Sequence, residues 1–298
     1  MAQQNSMAII EFQKKFGTEE KCKKHLFKHK WPKGFTCDKC GHDGYYHIAD
    51  RNLYQCKICR YQSTITTNTV MHATKTPLLK WFWAIYLAAK DKRGISALFL
   101  AKEIKVSYPT AWVMLHKIRD SMENRDSAYR LADIVEVDES YFGGPDNGGK
   151  RGRGTSKSKV VVSVSTTEDG KALYAKMSVV EDITKKTIAA LIEENVDAGS
   201  KITSDGLNVY NHLKDSKTYK HVQLNADFEN LSWVHKVISN AKAYIMGTYH
   251  GLGKKHLQSY LNEFCYRFNR RFWQNQLFDR LLEACSKHKA TPAAVLSL

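Results

Sequence analysis

Two close pairs of cysteines constrain this chain more than any other feature. Cys37-x2-Cys40 and Cys56-x2-Cys59 are separated by fifteen residues. At that spacing four thiolates can converge tetrahedrally on one Zn2+, each pair forming a knuckle. Gly41, directly after Cys40, frees the backbone to turn toward the metal. Four sulfur ligands leave no open coordination position, so the site is structural rather than catalytic. A ribbon this small has little core and depends on its metal to fold. Tyr45, Tyr46, Leu53 and Tyr54, between the pairs, suit short strands. Cys22, Cys265 and Cys285 have no partner spacing and read as core or surface thiols. Seven cysteines in 298 residues are too few for a secreted disulfide scaffold and point to a reducing compartment.

Charge adds a second constraint. Lys and Arg number 46 against 30 Asp and Glu, a formal net charge of +16. Such an excess favours a polyanionic partner, because basic side chains neutralise phosphates and release counterions. Nucleic acid fits better than a membrane surface, since no basic amphipathic anchor stands out. No apolar run approaches the ~20 residues of a membrane span. The opening MAQQNSMAII lacks the basic-then-apolar order of a signal peptide.

Residues 13–33 carry eight lysines and two glutamates among Phe16, Leu26, Phe27 and Trp31, and read as a short basic helix. Residues 76–122 read as three helices. Thr76-Pro77 is a cap and first-position pair for the first, and Gly94 ends it. The second covers 96–104, Lys105-Val106-Ser107 is a tight turn, and Ser107 caps a third over 108–122. This has the size and punctuation of a helix-turn-helix. Leu98, Leu100, Ala101, Ile104 and Val106 form its inner face. Tyr108, Thr110, His116 and Lys117 are then offered to a groove or to phosphates. A plain helical connector is the other reading of the same residues.

From residue 132 the periodicity becomes that of strands. The stretch 132–138 alternates and closes on Asp138. Strands at 159–165 and 172–180 are joined by a turn with the Asp169-Gly170 signal. Residues 142–159 are Gly-rich and basic and read as a mobile loop. A helix at 184–196 leads to a short strand, 202–204, that closes on Asp205. A short helix (207–213), a fifth strand (220–224) and helices at 231–246, 254–268 and 275–284 follow. Acids that close strands face a cleft rather than the core. If those two strands lie side by side, both carboxylates reach one divalent-metal site, the hard oxygen donors that phosphoryl transfer uses. By spacing alone, each is equally an Asp that starts a turn.

Several segments take on meaning together. Trp31-Pro32-x-Gly34-Phe35-x-Cys37-x2-Cys40-Gly41-His42 precedes Tyr54-Gln55-Cys56-x2-Cys59-Arg60-Tyr61-Gln62. Thr74-Lys75-Thr76-Pro77-Leu78, Gly94-Ile95-Ser96-Ala97 and Thr110-Ala111-Trp112 follow. Then come Val137-Asp138-Glu139-Ser140-Tyr141-Phe142-Gly143-Gly144 and Thr203-Ser204-Asp205-Gly206. The last are Gly247-Thr248-Tyr249-His250, Lys255-His256-Leu257-Gln258 and Arg267-Phe268-Asn269-Arg270-Arg271. Each is weak alone, but their order over residues 20–272 is specific. The chain resembles bacterial insertion-sequence transposases that join a zinc ribbon to an ISXO-like catalytic domain.

That resemblance implies an α/β fold: a ribonuclease-H-like mixed five-stranded sheet with flanking helices, preceded by the zinc ribbon and the helix-turn-helix-like region. It divides the chain into a basic segment (1–33), ribbon (34–66), helical DNA-binding region (74–124), catalytic domain (131–250) and basic C-terminal helices (251–290). It implies an enzyme that cuts element ends and joins the 3′-hydroxyls to target DNA, using two Mg2+ or Mn2+ ions. Asp138 and Asp205 match the first two catalytic acids. The third is Glu in much of the family, and no Glu lies between Asn230 and Asn262. Asn240, 35 positions after Asp205, is the residue favoured for that place; His235 is the alternative, with Glu229 and Glu263 behind it. Lys242 is a phosphate contact, and Lys150, Arg151, Arg153, Lys254 and Lys255 hold DNA backbone. The implied partners are double-stranded DNA, both element ends and target, and a second copy of the chain, since synapsis joins two ends. The implied location is a prokaryotic cytoplasm, at the nucleoid. Two other readings stay open: a non-catalytic DNA-binding regulator, favoured by the missing third acid, and a nuclease that cuts without joining.

Overall fold

The computed structural model describes residues 7–144, 155–224, 232–250, 252–289, 291–292 and 296. Its contacts divide into two units: Met1–Arg125 with Trp273–Leu298, and Asp126–Phe272. The first unit opens with α1 (Ile9–Phe16) and α2 (Glu19–Lys30). The single basic helix expected here is therefore two. Gly17 breaks the run, and the Thr18 hydroxyl accepts the Lys21 N–H at 3.3 Å to start the second helix. The ribbon is a three-stranded antiparallel sheet of β1 (Tyr45–Ile48), β2 (Leu53–Cys56) and β3 (Gln62–Ser63).

Three helices follow: α3 (Leu78–Lys90), α4 (Ala97–Ile104) and α5 (Tyr108–Ser127). Thr76 does not cap α3. Its first N–H groups, at Leu78 and Leu79, instead donate to the two carboxylate oxygens of Glu19, at 2.9 and 2.8 Å. A carboxylate there also complements the positive end of the helix. Ser96 caps α4, Lys105 turns the chain with φ +53°, and Ser107 accepts the Thr110 N–H at 3.3 Å to cap α5. Leu100, Ala101 and Ile104 point inward as expected, but Leu98 is 56% exposed. His116 is buried against Trp112, with ring centroids 3.9 Å apart, and is not presented to a groove. The buried stripe Ala111, Met114, Leu115 and Ile118 sets the helix phase that turns it inward.

The second unit is built on β4 (Ile134–Phe142), β5 (Ser158–Thr166), β6 (Ala172–Val180), β7 (Lys201–Ser204) and β8 (Lys220–Gln223), with α6 (Lys185–Asn195) after β6. The spatial order is β6-β5-β4-β7-β8. The first three form an antiparallel meander, and β7 and β8 run parallel to β4 and to each other. Counted within the sheet this is the order 3-2-1-4-5, the ribonuclease-H-like arrangement. Then come α7 (Ser232–Thr248) and α8 (Leu257–Asn269). Alternation splits the sheet into two faces. Val160, Val162 and Val164 pack with α7 and α8 on one, and Val135, Val137 and Val161 pack with α6 on the other.

An edge strand needs partners for its open backbone groups, and β6 gets them from α8 and the residues that follow. Gln258 accepts the Val179 N–H at 2.7 Å and donates to the Met177 carbonyl at 2.9 Å. Asn269 accepts the Ala175 N–H at 2.7 Å and donates to the Ala175 carbonyl at 3.1 Å. Arg271 donates to the carbonyls of Leu173 and Ala172. Arg267 and Arg270 are buried, paired with Glu263 at 2.6 Å and Asp126 at 2.7 Å. The basic run 267–271 thus spends its charge inside the fold. A further helix, α9 (Leu277–Lys287), belongs to the first unit, where Phe278 meets Phe12 and Phe16 at 5.6 and 5.4 Å.

Candidate active site and zinc centre

In the ribbon the four sulfurs of Cys37, Cys40, Cys56 and Cys59 lie within 4.8 Å of one another. Cys37 Sγ is 3.5 Å from Cys59 Sγ, and Cys40 Sγ is 3.6 Å from Cys56 Sγ. A disulfide would need about 2.05 Å. Zn–S bonds of about 2.3 Å in a tetrahedron place sulfurs about 3.8 Å apart, so the set fits one Zn2+. The two knuckles fold alike. Gly41 donates to the Cys37 carbonyl and Arg60 to the Cys56 carbonyl, at 2.9 and 3.2 Å. Gly41 and Arg60 have φ of +73° and +60°. Glycine meets that demand at the first knuckle without cost; at the second an arginine meets it.

The second site sits where the parallel part of the sheet ends. β4 was expected to close at Asp138, but it continues to Phe142, because β5 pairs with it along its whole length. The parallel neighbour β7 stops sooner: its last pairing is Val137 with Ser204. Asp138 and Asp205 are the next residues on each chain. They therefore follow the last parallel pair side by side, on backbones about 4.8 Å apart by strand spacing. Asp205 is held by accepting the Leu207 N–H at 3.1 Å, and Asp138 by accepting the Glu139 N–H at 2.8 Å. Burial pushes the Asp138 carboxyl above its ordinary range; the Glu139 N–H and His235 pull against that, and Asp205 adds to it.

The face of the sheet that carries Asp138 is covered by α7. Glu136, two residues earlier and on the same face, accepts the Trp233 and Val234 N–H groups at 3.0 and 2.8 Å. This buried carboxylate caps α7 and fixes its rotation. One residue further, His235 Nε2 lies 3.2 Å from Asp138 Oδ2. Lys242, seven residues on and on the same side of the helix, lies in the field of Asp138; burial and then Lys157 lower its pKa. Asn240 is exposed and lies about 140° around the helix from His235 at 100° per residue. The structure therefore brings His235, and not Asn240, to Asp138. Glu263 is engaged with Arg267. Lys254 and Lys255 lie in the exposed turn before α8. Lys150, Arg151, Arg153 and Glu229 fall outside the described residues.

Sequence reasoning missed Glu136. Its signal was present: an acid two residues before Asp138 in an apolar strand must share that residue's face. Among the described residues only the four cysteines form a tight cluster of three or more possible metal ligands. The acid site is looser, but its donors suit a hard divalent ion. No described helix is long and apolar enough to cross a membrane.

Fold and site together define a class: a ribonuclease-H-like domain with two acids where the pairing of its central parallel strands ends, following a four-cysteine zinc ribbon. Comparison with known proteins narrows it. Residues 130–269 match the ISXO2-like transposase domain, and residues 17–62 the transposase zinc-ribbon domain. The chain thus carries a transposase domain of the DDE type together with a transposase zinc ribbon. It is 25% identical over 278 residues to an uncharacterized protein in transposable element ISH50 of Halobacterium salinarum, covering 84% of this chain and 91% of that one. That relative is archaeal, so it does not speak for the bacterial origin expected. Among solved structures, the Mos1 mariner paired end complex with Mn is similar at 14% identity, over 64% of this chain and 73% of that chain, with a TM-score of 0.28. The simian T-cell lymphotropic virus intasome is similar at 13% identity, over 61% and 64%, with a TM-score of 0.31.

Proposed function

We propose that this chain is an insertion-sequence transposase that cuts element ends and joins them to target DNA, with Asp138, Asp205 and His235 as its catalytic set. One observation carries the reading: two carboxylates at adjoining register positions, with an imidazole against the first. Unscreened, two acids this close oppose each other's ionisation, and a divalent ion relieves that. Asp138 and Asp205 would supply oxygen ligands, and His235 a nitrogen. Bound Mg2+ or Mn2+ would activate the attacking oxygen and stabilise the leaving one. Lys242 would meet the phosphate. The ribbon and the α4–α5 pair would recognise element ends, with Lys254, Lys255, Lys150, Arg151 and Arg153 along the DNA backbone. Two copies would act together, because two ends must be joined.

The test is strand cleavage and strand transfer on duplexes copied from the DNA flanking the gene, with Mg2+ or Mn2+. Wild type should cut and join. Asp138→Ala and Asp205→Ala should each lower both by about 10²-fold or more. Undiminished activity in either variant would sink the metal assignment, and nicks without joined strands would make the enzyme a nuclease.

A further inference from the structure

Beside the acid site lies a cavity of about 880 Å³, within the size range of sites that enclose a small organic ligand. Its walls are apolar: Phe142 from the end of β4, Ile245 and Met246 from α7, and Leu252 and Leu257 beyond it. Three lysines line it as well, Lys157, Lys242 and Lys254. Lys242 Nζ stands 5.5 Å from the centre of the Phe142 ring, so charge and apolar wall meet at one point. Gly143 and Gly144 form part of the lining, and where Gly144 would carry a Cβ there is open space. Phe142 is four residues from Asp138 on the same face of β4, about 13 Å along the strand. Lys242 is seven residues from His235, about 10 Å along α7.

A phosphate track alone calls for lysines on a polar surface. An apolar chamber behind three lysines suits a ligand that is anionic at one end and flat and apolar at the other. We infer that this cavity receives one nucleotide of the bound DNA, its base turned out of the helical stack into the apolar chamber and its phosphate on the lysines. This rests on the transposase reading and deepens it. At about 3.4 Å of rise per nucleotide, the distances put that nucleotide within about four positions of the scissile phosphate. Unstacking a base costs free energy, which is offset where the bent duplex meets more protein surface, and apolar and aromatic walls accept any base by contact with its π-face.

The experiment uses the full chain and end-containing duplexes with 2-aminopurine placed singly at each of four positions on either side of the cut. Fluorescence is read at saturating protein without added Mg2+, and cleavage on the same duplexes after Mg2+ is added. At one position the signal should rise several-fold on binding. Met246→Trp and Leu252→Trp, which fill the chamber from its partly exposed lining, should each remove that rise while the duplex stays saturated. An abasic nucleotide at the same position should be cut at least as fast as the natural one, since nothing has to be unstacked. Duplexes that are bound and cut with a flat signal at all positions would overturn the inference and leave the transposase reading standing. So would a rise that persists in both filled variants. Absence of binding and cutting altogether would overturn both.

Discussion

His235 and Asn240 lie five residues apart on one helix, and one of them meets the sheet. The apolar stripe of α7, Val234, Val237, Ile238, Ala241 and Ile245, is buried. His235 and Lys242 flank that stripe on one side and Asn240 on the other. His235→Ala should therefore lower cleavage about 10²-fold or more, as loss of a catalytic group does, and Asn240→Ala should leave it within about twofold. Rates of both variants on one end-containing duplex decide the matter; the opposite order would return the third place to Asn240. Counting positions from Asp205 could not make this distinction. The interval passes through residues 225–231, and an interval does not say which way the next helix is turned. The zinc site was readable because its ligands come in two local pairs. That Asp138 and Asp205 could meet was readable because each follows a short apolar strand; their spacing alone did not separate a metal role from a turn. Which residue of α7 faces Asp138 depends on helix phase, which Glu136 sets from the strand beneath.

At the scale of elements, Glu136 and α7 form one device. A helix begins with backbone N–H groups that lack intrahelical acceptors. Here Glu136 takes two of them inside the core. Glu136→Ala leaves those donors buried and unpaired, which costs about 1–3 kcal/mol. It should also let α7 rotate and draw His235 off Asp138. The expected outcome is a lower melting temperature together with a fall in kcat larger than the rise in KM. Glu136→Gln, which keeps an accepting oxygen, should recover part of both. Equal effects on kcat and KM, or none on kcat, would make Glu136 a core residue only. Edge strand β6 shows the same logic. Gln258 and Asn269 stand among the residues that carried the family resemblance, and their amides serve as the missing neighbouring strand. Charge alone did not reveal that Arg267 and Arg270 of that run have the buried partners Glu263 and Asp126.

For the whole molecule, the informative feature is that the first unit is discontinuous. The sheet-bearing unit is one stretch, Asp126–Phe272, whereas the ribbon-bearing unit closes only with Trp273–Leu298. Phe278 of α9 is buried where it meets Phe12, Phe16 and Tyr86, the last at 6.0 Å. Leu281 and Leu282 of the same helix are also buried. Losing one such aromatic side chain from a core costs about 3–5 kcal/mol, and a domain's whole stability is about 5–15 kcal/mol. Removing residues 273–298 should therefore unfold much of the first unit around α1–α3 while the sheet of the second keeps its own core. Hydrogen exchange separates the two: amides of α1, α2 and α3 should lose protection, and those of β4, β5 and β7 should retain it. The truncated chain should then keep metal-dependent nicking of DNA without preference for element ends. Intact protection in α1–α3, or its loss throughout β4 and β5, would contradict a division in which α9 completes the ribbon-bearing unit.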